Sequence, residues 1–458
     1  MKIVSLVLYI IMIMSLGLPA MALVYGKAAK PPLAERYSLS LIVGMGCLFL
    51  ATLLWFAAGR TVSLAPVFAA AALLWFAALV SKAPALDWPR LREAARNAAW
   101  RGLRWYEWIL LAFVLFQVLF LVFETLWRPV AMFDDWSHWA GAAKYLYHHG
   151  SVDNAYFSGN IHSDYPLFIM SNEIAVCLIN GQWDDYLCKS PLTIMFIGFA
   201  LFFYSAARRR SGRLTGIVFT LILVTIPMYV RVGIDGSAEI PISICLGVWA
   251  IAALRYLEAG GRADMLIAGL AGGMVAAIKA EGVYVVIALS ALFLAAAVAK
   301  RKEGMAPFAL YAGVILFFTL PWSYLKYAGG CEATRFTEFS MSWVADPQSY
   351  ADISRAVLGV LVPSSKYFLL GTYSVVAAVF LFTKAGRSGD SLYLLAVMAV
   401  VGCVYAFGSY SVGWGSQFPR LLSHNTALAL LFVRLQAEAV GAGGLHRGRL
   451  RQPEETRI

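Results

Sequence analysis

The sequence predicts an all-α polytopic membrane protein with about thirteen transmembrane helices and surface helices in one large outer loop. Composition is the first reason. Of 458 residues, 60% are hydrophobic and 14% charged, with a mean hydropathy of +0.71, whereas soluble domains carry about 25% charged residues. Run length is the second reason: many apolar stretches are about 17–22 residues long, close to the roughly 20 that carry a helix across a hydrocarbon core. Charge placement is the third. The formal net charge of +11 comes from Lys and Arg gathered in short loops, the positive-inside pattern that sets orientation. It argues for membrane insertion and against nucleic acid as a partner.

In chain order the expected spans are 4–24, 39–58, 62–81, 107–127, 189–207, 214–232, 238–256, 264–279, 282–299, 306–325, 367–384, 391–410 and 421–437. The first is long for a signal segment, and the basic stretch Lys27–Arg36 behind it fits a cytoplasmic loop, so cleavage after Ala22 is not expected. Loop 82–106 holds Arg90, Arg92, Arg96, Arg101 and Arg104; turn 207–213 holds Arg208, Arg209, Arg210 and Arg213. Later basic turns contain Lys300, Arg301 and Lys302, then Lys384 and Arg387, and the tail adds Arg447, Arg449 and Arg451. If the runs alternate, all of these share one side, expected to be the cytoplasm. The chain then divides into a three-helix membrane segment (1–106) with an interfacial helix over 87–104, a transmembrane core (107–437) and a basic cytoplasmic tail (438–458). Outer loops are expected at 128–188, 326–366 and 411–420. The first three spans are expected to stand apart as an appendage. Gly269 and Gly273, four residues apart, read as a close helix-packing face.

The largest polar interruption, 128–188, holds the most chemistry. Asp134 and Asp135 emerge soon after an apolar run, followed by Trp136, His138 and Trp139. The stretch to Tyr147 reads as a surface helix with Asp134 or Asp135 as its cap. Two adjacent carboxylates at the mouth of a membrane bundle also make a functional site, since ionisable groups are costly there. After His148, His149 and Gly150 come His162, Asp164, Tyr165 and Pro166, and residues 166–181 read as a second surface helix opening at proline. Trp183-Asp184-Asp185 reads as interface chemistry before the next span. The histidines and carboxylates match neither HExxH nor a calcium loop. No metal ligand set and no cofactor is assigned, a divalent metal being the one that remains open. The six cysteines lack CxxC spacing, though Cys177 and Cys188 share the outer loop and are candidates to pair.

The order of these features resembles the polytopic GT-C glycosyltransferases that use polyprenyl-phosphate sugars, a group that includes protein O-mannosyltransferases and lipid A aminoarabinose transferases. The matching elements are Asp134-Asp135, Gly150 and Asp164-Tyr165-Pro166-Leu167, with one proline of the usual pair missing. They continue through Gly236-Ser237-Ala238-Glu239-Ile240-Pro241 (Glu where the family has Asp), Ile278-Lys279-Ala280-Glu281-Gly282, Pro321-Trp322 and Pro419-Arg420-Leu421-Leu422. The resemblance covers 134–430 and leaves the first three spans outside. It implies an integral membrane glycosyltransferase of a bacterial inner membrane. Such an enzyme moves a sugar from a polyprenyl-phosphate donor to an envelope lipid, glycan or protein on the outer face.

The residue types suit that chemistry. A carboxylate within reach of the acceptor hydroxyl serves as base, a role for Asp134 or Asp135 with the other as partner. A fixed cation meets the charge that builds on the departing phosphate. Arg420 is favoured there for its forked bonds to phosphate, with Lys279 second. Glu239, Glu281, Asp164, Tyr165, His138 and His162 are candidates to line the cavity. Several have a plainer reading: Arg420 and Lys279 in a buried or interfacial ion pair that stabilises the bundle, Glu239 as a helix cap, His138 and His162 as loop hydrogen-bonders. The rival class is a secondary transporter or lipid flippase, which would concentrate charge near the bilayer midplane and show internal repeats.

Overall fold

The computed structural model describes residues 1–26, 31–83, 85–86, 92, 102–159, 163–300, 306–331, 346–361, 389–411, 425, 428–431 and 433. Among them there is helix and no strand. In chain order the helices are α1 (Lys2–Tyr25), α2 (Leu33–Ala57), α3 (Ala65–Val80) and α4 (Trp105–Trp127). A π-helical turn (Asp135–Trp139) leads into α5 (Ala140–His149), α6 (Asn154–Gly159) and α7 (Phe168–Asn180). Then come α8 (Ser190–Ser211), α9 (Arg213–Thr225), α10 (Pro227–Asp235), α11 (Glu239–Ala259) and α12 (Arg262–Ile278). The last are α13 (Gly282–Ala299), α14 (Ala306–Ala328), α15 (Pro347–Leu361) and α16 (Gly389–Ser411).

Seven of these, α1, α2, α4, α8, α11, α13 and α14, are long and apolar enough to cross a membrane. Shorter apolar helices include α3, α7 and α9. The expected spans at 367–384 and most of 421–437 lie outside the described residues, as does nearly all of the expected interfacial helix at 87–104. One expected span, 214–232, is broken in two. Ile226 adopts extended backbone (ψ 115°), the conformation favoured before a proline, and Pro227 opens α10 in the first turn where its missing N–H costs nothing.

Helix α11 forms the axis of the bundle: its most apolar window is 94% buried, against 11% for α4. Around α11 pack α12 and α8, with α14 against α12 and α2 against α8. The two glycines work as the sequence suggests. A Cβ at Gly273 would lie 2.8 Å from the Phe318 ring and one at Gly269 would lie 3.3 Å from the Tyr311 carbonyl oxygen, so α12 and α14 meet at nearly backbone distance. The amino-terminal helices are built into the same core rather than standing apart. Tyr9 donates to Asn172 Oδ1 at 2.7 Å, Ser5 to Asn180 Oδ1 at 3.0 Å, and Arg255 makes a fork to Glu35 at 2.6 and 3.0 Å.

Helix α7 corrects an expectation. It is a core helix rather than a surface one, and every residue from Phe168 to Cys177 is buried. Its sequence is apolar on most sides, which favours an interior position, and its asparagines find partners on α1. Cys177 and Cys188 are free, buried thiols.

Candidate functional site

Five of the sequence elements singled out above meet at one end of the bundle. Helix α4 ends at Trp127 and the chain turns back, with the Val130 N–H donating to the Asp185 carbonyl at 2.9 Å. The next turn widens to π geometry. No side-chain cap bond forms, so neither aspartate serves as the expected helix cap. Asp135 is turned inward instead, fully buried, and neither of its carboxylate oxygens has a hydrogen-bond partner. Asp134, one residue earlier, stays half-buried.

Opposite Asp135 lies Gly236, in the left-handed region at φ 86°. A Cβ at Gly236 would lie 2.7 and 2.8 Å from the Asp135 oxygens. This glycine is therefore required twice, by its backbone angle and by the carboxylate that it admits. Burial pushes the Asp135 carboxyl up to about 8. Lys189 opposes that rise, whereas Asp235 and Asp134 add to it.

The remaining elements connect through side chains. Trp139 stacks on Tyr165 at 5.1 Å with the rings 10° apart. Lys279 lies 6.0 Å from the centre of the Tyr165 ring and 3.6 Å from Glu239 Oε1. Trp322 Nε1 donates to the Asp164 carbonyl at 3.2 Å. Glu281 Oε2 is buried without a hydrogen-bond partner, and burial raises the Asp164 carboxyl, helped by the Glu281 charge and opposed by Lys326.

Local geometry explains why the Lys279 segment sits here. Helix α12 stops at Ile278, Lys279 is extended (φ −139°, ψ 150°), and α13 starts at Gly282, where a Cβ would strike the Val275 carbonyl oxygen at 2.1 Å. The tight reversal leaves Lys279 and Glu281 at the helix ends, facing the loop. Gly150 ends α5 in the left-handed conformation, and its carbonyl accepts from the Val62 N–H at 2.7 Å.

His138 remains a local partner: Ser137 Oγ and His138 Nδ1 share a hydrogen bond of 2.5 Å. Asp184 accepts from the Tyr186 and Leu187 amides, and Asp185 accepts from Trp183 Nε1 and Lys144. That pair organises a turn. Arg420 and His162 lie outside the described residues. Among the described residues no three His, Cys, Asp or Glu side chains converge as a metal site.

Two residues at this end were not anticipated. Lys189 is 2% exposed and donates to the Ile234 carbonyl at 2.8 Å, close enough to Asp135 and Asp235 to feel both charges. Its signal was a lone cation immediately before a helix, the end where the dipole disfavours positive charge. Glu173, in the middle of α7, is fully buried with neither oxygen hydrogen-bonded, and it faces the Asp135 charge. Its signal was a single carboxylate inside an apolar helix.

No protein-family model, curated protein or solved structure matches this chain.

Proposed function

We propose that the protein is an integral membrane glycosyltransferase of GT-C type, transferring a sugar from a polyprenyl-phosphate donor to an envelope acceptor on the outer face of the membrane. One observation supports this reading above the rest. Elements that resemble the family's motifs, spread from Asp134 to Trp322, converge on one cluster: Asp135 against Gly236, Lys279 on Glu239 and Tyr165, Trp322 on Asp164. Unbonded buried carboxylates of the kind found there are costly for packing alone.

In this mechanism Asp134, the more accessible of the pair, takes the proton of the acceptor hydroxyl. The acceptor oxygen forms the new glycosidic bond as the bond between the sugar and the phosphate oxygen breaks, and polyprenyl phosphate departs. Asp135 holds the turn that positions Asp134. Lys279 and Arg420 meet the negative charge on the leaving phosphate. The outer-face location rests on the basic turns being cytoplasmic.

The test is a transfer assay with detergent-purified protein, a panel of radiolabelled polyprenyl-phosphate sugars and an envelope extract as acceptor. Release of polyprenyl phosphate with label appearing in the acceptor is expected for at least one donor. Movement of intact donor across proteoliposome membranes, with no bond broken, would instead establish the flippase class.

A further inference from the structure

At the opposite end of the bundle is a cavity that sugar transfer does not use. Helices α8 and α11 both start at the carboxylate cluster, at Lys189 and Glu239, and run about 30 Å at 1.5 Å per residue. Between their far ends and the start of α12 lies a cavity of about 280 Å³. That is far above the ~10–15 Å³ one water requires and near the lower limit of ~300 Å³ for small-molecule sites. Half of its wall is apolar, formed by Ala206, Ile251, Leu254, Ala259 and Leu431, and half is charged, formed by Arg209, Arg210, Arg255, Glu258 and Asp264.

Most of those charges are already committed. Arg255 is held by Glu35, and Arg210 by Glu258 at 2.6 Å and Asp390 at 3.0 Å. Two are not. Among the described residues neither Arg209 nor Asp264 forms a salt bridge, although Asp264 feels the charges of Arg255 and then Arg209, with Glu35 and Glu258 opposed to it. The cavity therefore offers one available cation and one available anion beside an apolar wall, at the end of helices long enough to reach a membrane surface.

We infer that this cavity binds a zwitterionic aminophospholipid headgroup, with its phosphate on Arg209, its ammonium on Asp264 and the start of its acyl chains against the apolar wall. A headgroup with phosphate alone leaves Asp264 unanswered and opposed to it. A quaternary ammonium has no N–H to donate to the carboxylate. The shared chemistry of phosphate plus primary ammonium also belongs to free phosphoethanolamine, which lacks anything for the apolar wall.

The experiment is lipid retention by native mass spectrometry on the full chain in detergent, titrated with dioleoyl phosphatidylethanolamine, phosphatidylglycerol or phosphatidylcholine, or with soluble phosphoethanolamine. Phosphatidylethanolamine is expected to be retained about tenfold more than the other lipids, the scale of one charge-assisted hydrogen bond. Arg209→Ala and Asp264→Asn should each erase that preference. Equal retention of all three lipids by the wild-type chain would overturn the proposal whether or not the variants fold. So would an unchanged preference in both variants, or phosphoethanolamine binding as tightly as the lipid.

Discussion

The two ends of the bundle treat their carboxylates in opposite ways. At the end formed by the last turns of α8 and α11, acids other than Asp264 are matched to arginines at short range: Glu35 with Arg255, Glu258 and Asp390 with Arg210, and Glu107 with Arg213 at 2.7 Å. At the other end Asp135 and Glu173 are fully buried with no hydrogen bond to either oxygen, and Lys279 meets Glu239 only at 3.6 Å. One end is stapled and the other is left poised. The difference teaches that charge at the loop end serves something other than cohesion, since unbonded buried acids lower stability.

Breaking a staple should have the largest effect. Arg255→Ala leaves Glu35, only 2% exposed, as a buried charge without its cation, with only the Tyr25 hydroxyl among the described residues still donating to it, which costs about 3–5 kcal/mol. Thermal unfolding in detergent should register a large drop. Glu173→Gln, which breaks no hydrogen bond, should leave the unfolding temperature unchanged or higher. Equal losses in the two variants would erase the contrast between the ends.

Next in size are the loop carboxylates. Asp134→Asn is expected to lower sugar transfer by about a hundredfold or more, the contribution of a general base, while unfolding is unaltered. Asp135→Asn should lower it through the displaced turn, and Arg420→Lys should impair it by losing the planar fork. Wild-type transfer rates in both aspartate variants would remove the catalytic reading of this end.

Gly236→Ala comes third. The left-handed backbone alone costs roughly 1–2 kcal/mol for a residue with a Cβ, and that Cβ would strike the Asp135 carboxylate. Transfer should fall together with stability, whereas Gly313→Ala, where a Cβ meets nothing within 4 Å, should change neither.

Stability should also depend on pH. The Asp135 carboxyl is raised from its ordinary value near 4 to about 8 in the folded state. The folded state thus holds this proton more tightly than the unfolded one. The resulting stability is complete below about pH 4, falls as pH rises toward 8 and falls no further above it. Unfolding temperatures from pH 5 to 9 should decline in the wild type and decline less in Asp135→Asn. Identical slopes would show that Asp135 does not carry this proton.

The mildest probe is labelling. A cysteine at Ser158 should react with an impermeant reagent from outside, and one at Ser211 should not. The reverse pattern would turn the poised end toward the cytoplasm and remove the case for an outer-face donor.

Much of this contrast was legible in the sequence, because charge spacing and apolar run length are local properties. The membrane class, the packing glycines Gly269 and Gly273 and the polar residues from Asp134 to Trp322 that the fold gathers at one end could all be read directly. What failed depended on distant partners. Helix α7 looked like a surface helix because its burial depends on α1, 163 and 175 residues earlier in the chain, through Tyr9 and Ser5. Lys189 stands out in the sequence only as a cation before a helix, because Ile234 and Asp135 reach it only in the folded bundle. The break at Ile226-Pro227 falls at a proline inside the expected span 214–232, whose apolar residues continue on both sides of it.

The π turn at Asp135–Trp139 keeps the loop in register with the bundle. Its closing bond runs from the Ala140 N–H to the Asp135 carbonyl, five residues back, where an α-turn would span four. The turn therefore absorbs one surplus residue. Wound as ordinary α-helix, in which each residue turns by about 100°, the same five residues would rotate Asp135 by about that angle relative to α5 and carry its carboxylate away from Gly236. The wide turn is thus what sets the phase between the loop and the rest of the protein.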